Sequence, residues 1–327
     1  MHERIGAILT TATLLSGCNA LYDEPYEWKP TKIRADQLPE ELPDRVADQI
    51  PNVMAMTNET RGYAGLYDHY ITTDLCSGVR IDKYDYLSAG HCVDPSDIPY
   101  GIQPYCEEIR IDIPFGDQDA VTLNGTTIAG YAPNTSILND RQFLDQKDVL
   151  LVHVDDSDPD SQPLYDNPTV ILENSERIQP GTPLYFINYQ PTKNHEYRNP
   201  NINSIPVPEV TRGPSTPAIL GAIAIRYINS DTIEAITVGK SYGESIDNGV
   251  RQGGSGGPIY DGEGNLVATL TAISHNAVSL KKFENDRAID ITGMPDDSQV
   301  TATYIKTVSH DTIEELRAYP QTITGCN

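Results

Sequence analysis

Five short apolar runs constrain this chain more than any other feature: CSGVRI (76–81), DVLLVHV (148–154), PLYFINY (183–189), AIAIRYI (222–228) and NLVATLTAI (265–273). Each is too short to make a packed helix, carries β-branched or aromatic side chains, and lies between turn-forming residues. That is the pattern of buried or half-buried strands. With 24 Gly, 24 Pro, and 19 Tyr against 4 Phe, composition also favours a loop-rich β protein over a helical bundle. A chain of 327 residues has room for one large domain or two small ones with a substantial core. There is no internal repeat, no heptad run and no glycine-rich phosphate loop.

The formal net charge of −24 would repel nucleic-acid phosphates and anionic membrane surfaces, so a nucleic-acid partner is not expected. Residues 1–18 read as an export signal. Ile5 to Leu15 form an apolar stretch too short to span a bilayer. Leu15-Ser16-Gly17-Cys18 then resembles the bacterial lipobox, in which the Cys is lipidated and becomes the new N-terminus. Lipid on Cys18 would anchor the protein to the cell envelope, at the outer membrane or cell surface. Residues 19–60 are rich in Pro and acidic side chains (DEPYEWKP, LPEELPDR) with little apolar periodicity, and read as a tether. The remaining Cys76, Cys92, Cys106 and Cys326 suit disulfides in an exported chain. No Cys-x-x-Cys pattern suggests zinc, and no cofactor or metal is expected. The acidic run Asp155, Asp156, Asp158, Asp160 reads as a solvated loop.

Three separated segments carry chemistry when taken together: Leu87 to Cys92 (LSAGHC), Asp148 to Val154, and Gly253 to Pro258 (GGSGGP). A Ser hydroxyl is a poor nucleophile at neutral pH. It needs a base within hydrogen-bond reach, and the base needs a carboxylate to fix its tautomer and stabilise its cation. The attacked carbonyl becomes an oxyanion, which backbone N–H groups beside the nucleophile can hold if Gly permits the sharp turn. His91, Asp148 and Ser255 are the candidates for base, carboxylate and nucleophile. The N–H groups of Gly253 and Ser255 are the candidate oxyanion donors.

The three segments resemble the His, Asp and Ser motifs of trypsin-like serine proteases, commonly written TAAHC, DIALL and GDSGGP. Ser88 to Cys92 has Gly90 in place of Ala, Asp148-Val149-Leu150-Leu151 is close to the second, and Gly253 to Pro258 differs at Gly254. The chain order His, Asp, Ser also matches, over about 62–319. The resemblance implies an all-β chymotrypsin-like fold within residues 61–327, comprising two six-stranded antiparallel β-barrels at about 62–160 and 164–304. A C-terminal helix is expected at about 311–319, with Asp311 as N-cap and Ile313 and Leu316 on one face. It implies a monomeric serine endopeptidase acting on protein or peptide substrates. It also implies a Cys76–Cys92 disulfide bracing His91. Cys106 and Cys326 then remain to pair by elimination.

Departures from the pattern matter as much. Gly254 stands where trypsin has the Asp that pairs with a newly cut N-terminus, so a trypsin-type activation switch is not expected. The pocket floor falls at Gly249 and Val250, with no acidic residue to attract Arg or Lys. Thr271, with His275 beyond it, leaves both an acidic and a small or apolar preference open. The alternative to an enzyme is an inactive, protease-like surface lipoprotein that binds or adheres. An esterase of another fold is disfavoured, because the Ser motif is not Gly-x-Ser-x-Gly between a strand and a helix.

Overall fold

Antiparallel pairing begins at Val53. In the computed structural model, strands β2 (Val53–Tyr63), β3 (His69–Arg80), β4 (Asp85–Ser88), β5 (Glu108–Phe115), β6 (Gln118–Tyr131) and β7 (Val149–Val154) close a barrel in the order β2-β3-β4-β7-β6-β5. A second closed barrel has the order β10-β16-β12-β11-β8-β9. Its strands are β8 (Pro183–Asn188), β9 (Ala218–Tyr227), β10 (Thr232–Ser241), β11 (Pro258–Tyr260), β12 (Leu266–Ile273) and β16 (Ala302–Thr307). Closure removes the free strand edges that an open sheet would expose. The structure describes residues 32–63, 69–92, 108–115, 118–131, 144–154, 169, 171, 178–189, 217–242, 250, 254–273 and 277–318. The leader, Cys18, Cys106, Cys326, Gly249, Gly253, His275 and the acidic run from Asp155 lie outside these.

The stretch Leu184 to Ile187 of β8 shows why its sequence is continuously apolar instead of alternating. Leu184 and Phe186 join a cluster with Leu220, Ala222, Ile233, Leu270 and Ile305 in barrel two. Tyr185 and Ile187 on the other face join a second cluster that reaches Val79, Leu87 and Leu151 of barrel one. A strand buried on both faces needs apolar side chains at every position.

Barrel one starts nine residues before the expected Gly62, at Val53. Only Val53 to Met56 of that strand are apolar, and the polar TNETRG that follows resembles a linker. The expected tether is likewise packed from Lys32 onward. β1 (Lys32–Arg34) pairs in parallel with β14 (Asp290–Thr292), and Ile33, Ala35, Leu38 and Val46 are buried. Helical turn α1 (Asp44–Ala47) lies against the β11–β12 turn, where a Cβ on Gly264 would stand 2.4 Å from the Arg45 carbonyl oxygen. The apolar residues of this strap fit neither the helical nor the strand period, so its sequence reads as linker even though it covers barrel two.

Between β12 and β16 the chain makes an unanticipated excursion through β13 (Val278–Ser279), helix α2 (Leu280–Arg287), β14 and β15 (Gln299–Val300). Ser279 caps α2 by accepting the Lys282 N–H at 3.3 Å. Fully buried Glu234 on β10 fastens the helix: Arg226 Nε donates to its Oε2 at 2.7 Å and Arg287 Nε to its Oε1 at 2.9 Å. The C-terminal helix α3 spans His310–Ala318, with Ile313 and Leu316 buried as expected. Its cap is Ser309, not Asp311: Ser309 Oγ accepts the Thr312 N–H at 3.2 Å, which leaves Asp311 in the first turn. Helix α3 docks on barrel one through Arg317, whose Nε donates to Asp85 Oδ2 at 2.8 Å, while His153 Nδ1 meets Asp85 Oδ1 at 2.9 Å.

Removing the buried Glu234 carboxylate takes away the shared acceptor of two guanidinium groups, those of Arg226 and Arg287, which are only partly exposed. Glu234→Ala is expected to lower unfolding free energy by about 3–5 kcal/mol, read from urea denaturation. A change under about 1 kcal/mol would show that water replaces the carboxylate without difficulty.

Candidate active site

Strands β4 and β7 are register neighbours, with Ser88 opposite Leu150. The chain leaving β4 therefore meets the chain entering β7 at one end of barrel one. A single 3-10 turn, Gly90–Cys92, follows β4 and carries His91, and Asp148 immediately precedes β7. Asp148 is 1% exposed. It accepts two hydrogen bonds from one residue, the His91 backbone N–H to Oδ1 at 2.9 Å and His91 Nδ1 to Oδ2 at 2.8 Å. An ionised carboxylate can only accept, so Nδ1 carries the proton and a neutral ring keeps its lone pair on Nε2. Burial works against a charged His91 ring, but the adjacent Asp148 carboxylate outweighs it. The ring's pKa therefore stands above the ordinary histidine value.

The turn with His91 is held from below. Cys76 on β3 is joined to Cys92 by a disulfide with Cα atoms 6.2 Å apart, as the family resemblance implied. Ser88 Oγ donates to the Ser77 carbonyl at 2.7 Å, and Cys92 N–H closes onto Ala89 O at 3.2 Å.

Ser255 comes from barrel two. It sits in a tight turn in which Gly257 N–H donates to Gly254 O at 2.9 Å, just before β11. Gly256 has φ +77°, and its N–H donates to Leu270 O on β12 at 2.8 Å. The turn docks directly on barrel one, where Ser77 N–H donates to the Ser255 carbonyl at 2.7 Å. A Cβ on Gly256 would stand 2.3 Å from Ser77 O and 2.6 Å from Ala89 N, so only glycine permits this approach.

Of the expected oxyanion donors, Gly253 lies outside the described residues and Ser255 stands in the docked turn. Gly254 is buried and has no side chain to make an ion pair. Val250, expected at the pocket floor, is 7% exposed and packs into the barrel-two cluster. Thr271 on β12 is 2% exposed, and its hydroxyl has no hydrogen-bond partner among the described residues. Ser77 was missed from sequence. Besides its N–H contact to Ser255, its Oγ accepts the Tyr189 N–H at 2.8 Å. A serine inside a strand carries no local signal that it will bridge two barrels.

These motifs, set at the meeting of two closed antiparallel barrels, define a trypsin-like serine protease domain. The chain belongs to that family: the model of the trypsin-like peptidase domain matches residues 76–268, more than half of its length. No curated protein matches it by sequence. A protease from M. tuberculosis in its active form is 13% identical, with 90% of this chain and 92% of that one covered at a TM-score of 0.45. A serine endoprotease from Yersinia pestis is also 13% identical, with 86% and 68% covered at a TM-score of 0.44.

The Gly256 contact is testable without knowing a substrate. Gly256→Ala combines a left-handed backbone with a steric conflict at the barrel junction. Labelling of Ser255 by a fluorophosphonate is expected to fall at least about 100-fold, with the fold kept by circular dichroism. Labelling at the wild-type rate would show that the junction tolerates a methyl group.

Proposed function

We propose that this protein is a serine endopeptidase that cleaves peptide bonds through Ser255, His91 and Asp148. The observation that carries the reading is the double hydrogen bond between His91 and a buried Asp148. That arrangement puts the ring proton on Nδ1, so that Nε2 of a neutral ring is the atom whose lone pair can act as a base. Ser255 Oγ attacks the scissile carbonyl carbon while its proton passes to His91 Nε2. The carbonyl π electrons move to oxygen, and the N–H groups of Gly253 and Ser255 hold the resulting anion. Collapse expels the amine, which takes the proton from His91 and leaves an ester on Ser255. Water then repeats the cycle through the same base and releases the acid. Asp148 stabilises the imidazolium at each stage.

The substrate is a protein or peptide. Val250 packs into the barrel-two core, so the pocket reading rests on the wall at Thr271 and on Gly249, where no acidic floor selects basic side chains. Lipid on Cys18 would hold the enzyme at the envelope of a bacterial cell. Incorporation of labelled palmitate that disappears in Cys18→Ala would support this anchor, and unchanged incorporation would sink it.

A fluorophosphonate probe tests the chemistry. Ser255 of the wild type should label, and Ser255→Ala and His91→Ala should each lower turnover by roughly 10⁶-fold. No labelling of folded wild-type protein rejects the proposal. The pH profile follows from His91. Only the neutral ring can take the proton, and Asp148 raises its pKa, so the acid limb of kcat/KM should have its midpoint above the ordinary histidine value of about 6.5. A midpoint at or below that value in the wild type would mean that Asp148 does not support the charged ring.

A further inference from the structure

A second buried charge lies behind Asp148 and has no part in the chemistry above. Lys306 on β16 of barrel two has a side chain only 5% exposed. An ammonium group is costly to bury unless its three N–H donors are all used. Here they are: Nζ donates to the Leu144 carbonyl at 2.6 Å, to Asp231 Oδ1 at 3.2 Å and to Thr232 Oγ1. Thr232 is the register partner of Lys306 across β10 and β16, and its hydroxyl reaches the same Leu144 carbonyl at 3.0 Å. Asn229 Nδ2 adds a third donor to that oxygen at 2.9 Å.

Three donors from one barrel therefore converge on one carbonyl of the segment that leads to the other. Leu144 lies four residues before Asp148. The intervening chain is also held by helix α3, where Lys147 Nζ meets Glu315 Oε2 at 3.1 Å. A half-exposed surface pair such as that one adds little. The buried, fully used Lys306 ammonium is the stronger anchor.

We propose that Lys306 is a positioning residue for Asp148: by tying the Leu144 carbonyl to barrel two, it sets where the Asp148 carboxylate stands against His91. The inference rests on the catalytic reading above and extends it to a residue on neither the His nor the Asp strand. Barrel two thus supplies Ser255 and also the anchor for barrel one's carboxylate, so both halves of the machinery share one frame.

The test uses the intact chain and two readouts. The first is the NMR titration of His91 in protein labelled with ¹⁵N-histidine, which needs no activity. Lys306→Met keeps the length of the side chain but removes the donors. A displaced Asp148 supports the imidazolium less while the ring stays buried, so the His91 midpoint should move to lower pH, in the direction of Asp148→Asn. The second readout is the fluorophosphonate labelling rate of Ser255, expected to fall about ten-fold to a hundred-fold. Thr232→Val removes the bridging hydroxyl without touching the buried charge and should move both readouts the same way, with Thr232→Ser restoring them. An unmoved His91 midpoint in whichever of Lys306→Met and Thr232→Val folds overturns the proposal, even if thermal stability falls, because a merely structural role predicts that result. Wild-type protein in which His91 titrates above its ordinary value while Ser255 does not label sinks the catalytic reading alone.

Discussion

The rest of the structure depends on what two adjacent residues of β3 do. Cys76 is bonded to Cys92, next to His91, and the Ser77 N–H holds the Ser255 carbonyl at 2.7 Å. One stretch of β3 thus ties the turn of the proposed base, His91, to the turn of the proposed nucleophile, Ser255. In the chain-entropy view, closing a loop of this length adds roughly 3 kcal/mol. Its value for function is geometric, because catalysis depends on holding reacting groups within fractions of an ångström. Gly256 completes the junction by letting the Ser255 turn approach Ser77 and Ala89 more closely than any side chain would permit.

Three buried charges among the described residues show how such groups are compensated. Asp148 receives two N–H groups from His91, Glu234 receives two guanidinium groups, and Lys306 spends its donors on a carbonyl, a hydroxyl and a carboxylate. A buried ion is weak evidence of stability in itself, but an uncompensated one is strongly destabilising, so each also enforces one arrangement of its partners. Glu234 specifies the position of α2 and Asp85 that of α3, whereas Asp148 and Lys306 act at the barrel junction. Asp85 shows the balance. Burial alone would raise its carboxyl pKa, yet hydrogen bonds from His153 and Arg317 hold it below the ordinary carboxylate range.

Legibility varied with how local each cause was. DVLLVHV and PLYFINY announce buried strands because Val149 to Val152 and Leu184 to Ile187 are apolar at every position. GGSGGP announces a turn because the backbone there needs glycine. His91, Asp148 and the Cys76–Cys92 pair were legible because the family's motifs are contiguous. The strap at Lys32 to Asn52 was not, since Ile33, Leu38 and Val46 are spaced to suit the surface of barrel two and not any period of their own. The polar half of β2 was missed for a related reason: a strand can be held by backbone pairing to β3 without apolar side chains of its own. His153, on β7, is half exposed and pairs with Asp85 across β4 and β7, a partner that no local pattern announces.

Sequence alone determined the strand-rich class, the family and the three residues proposed to carry the chemistry, because each is written in a short contiguous pattern. Tertiary structure decided the rest. It paired Ser77 with Ser255 across 178 positions of sequence, brought Lys306 to Leu144 across 162, and folded an apparent tether onto barrel two. The physical reason is that the value of a polar atom or an apolar side chain depends on what stands opposite it. For these residues the opposite surface exists only once both barrels have closed.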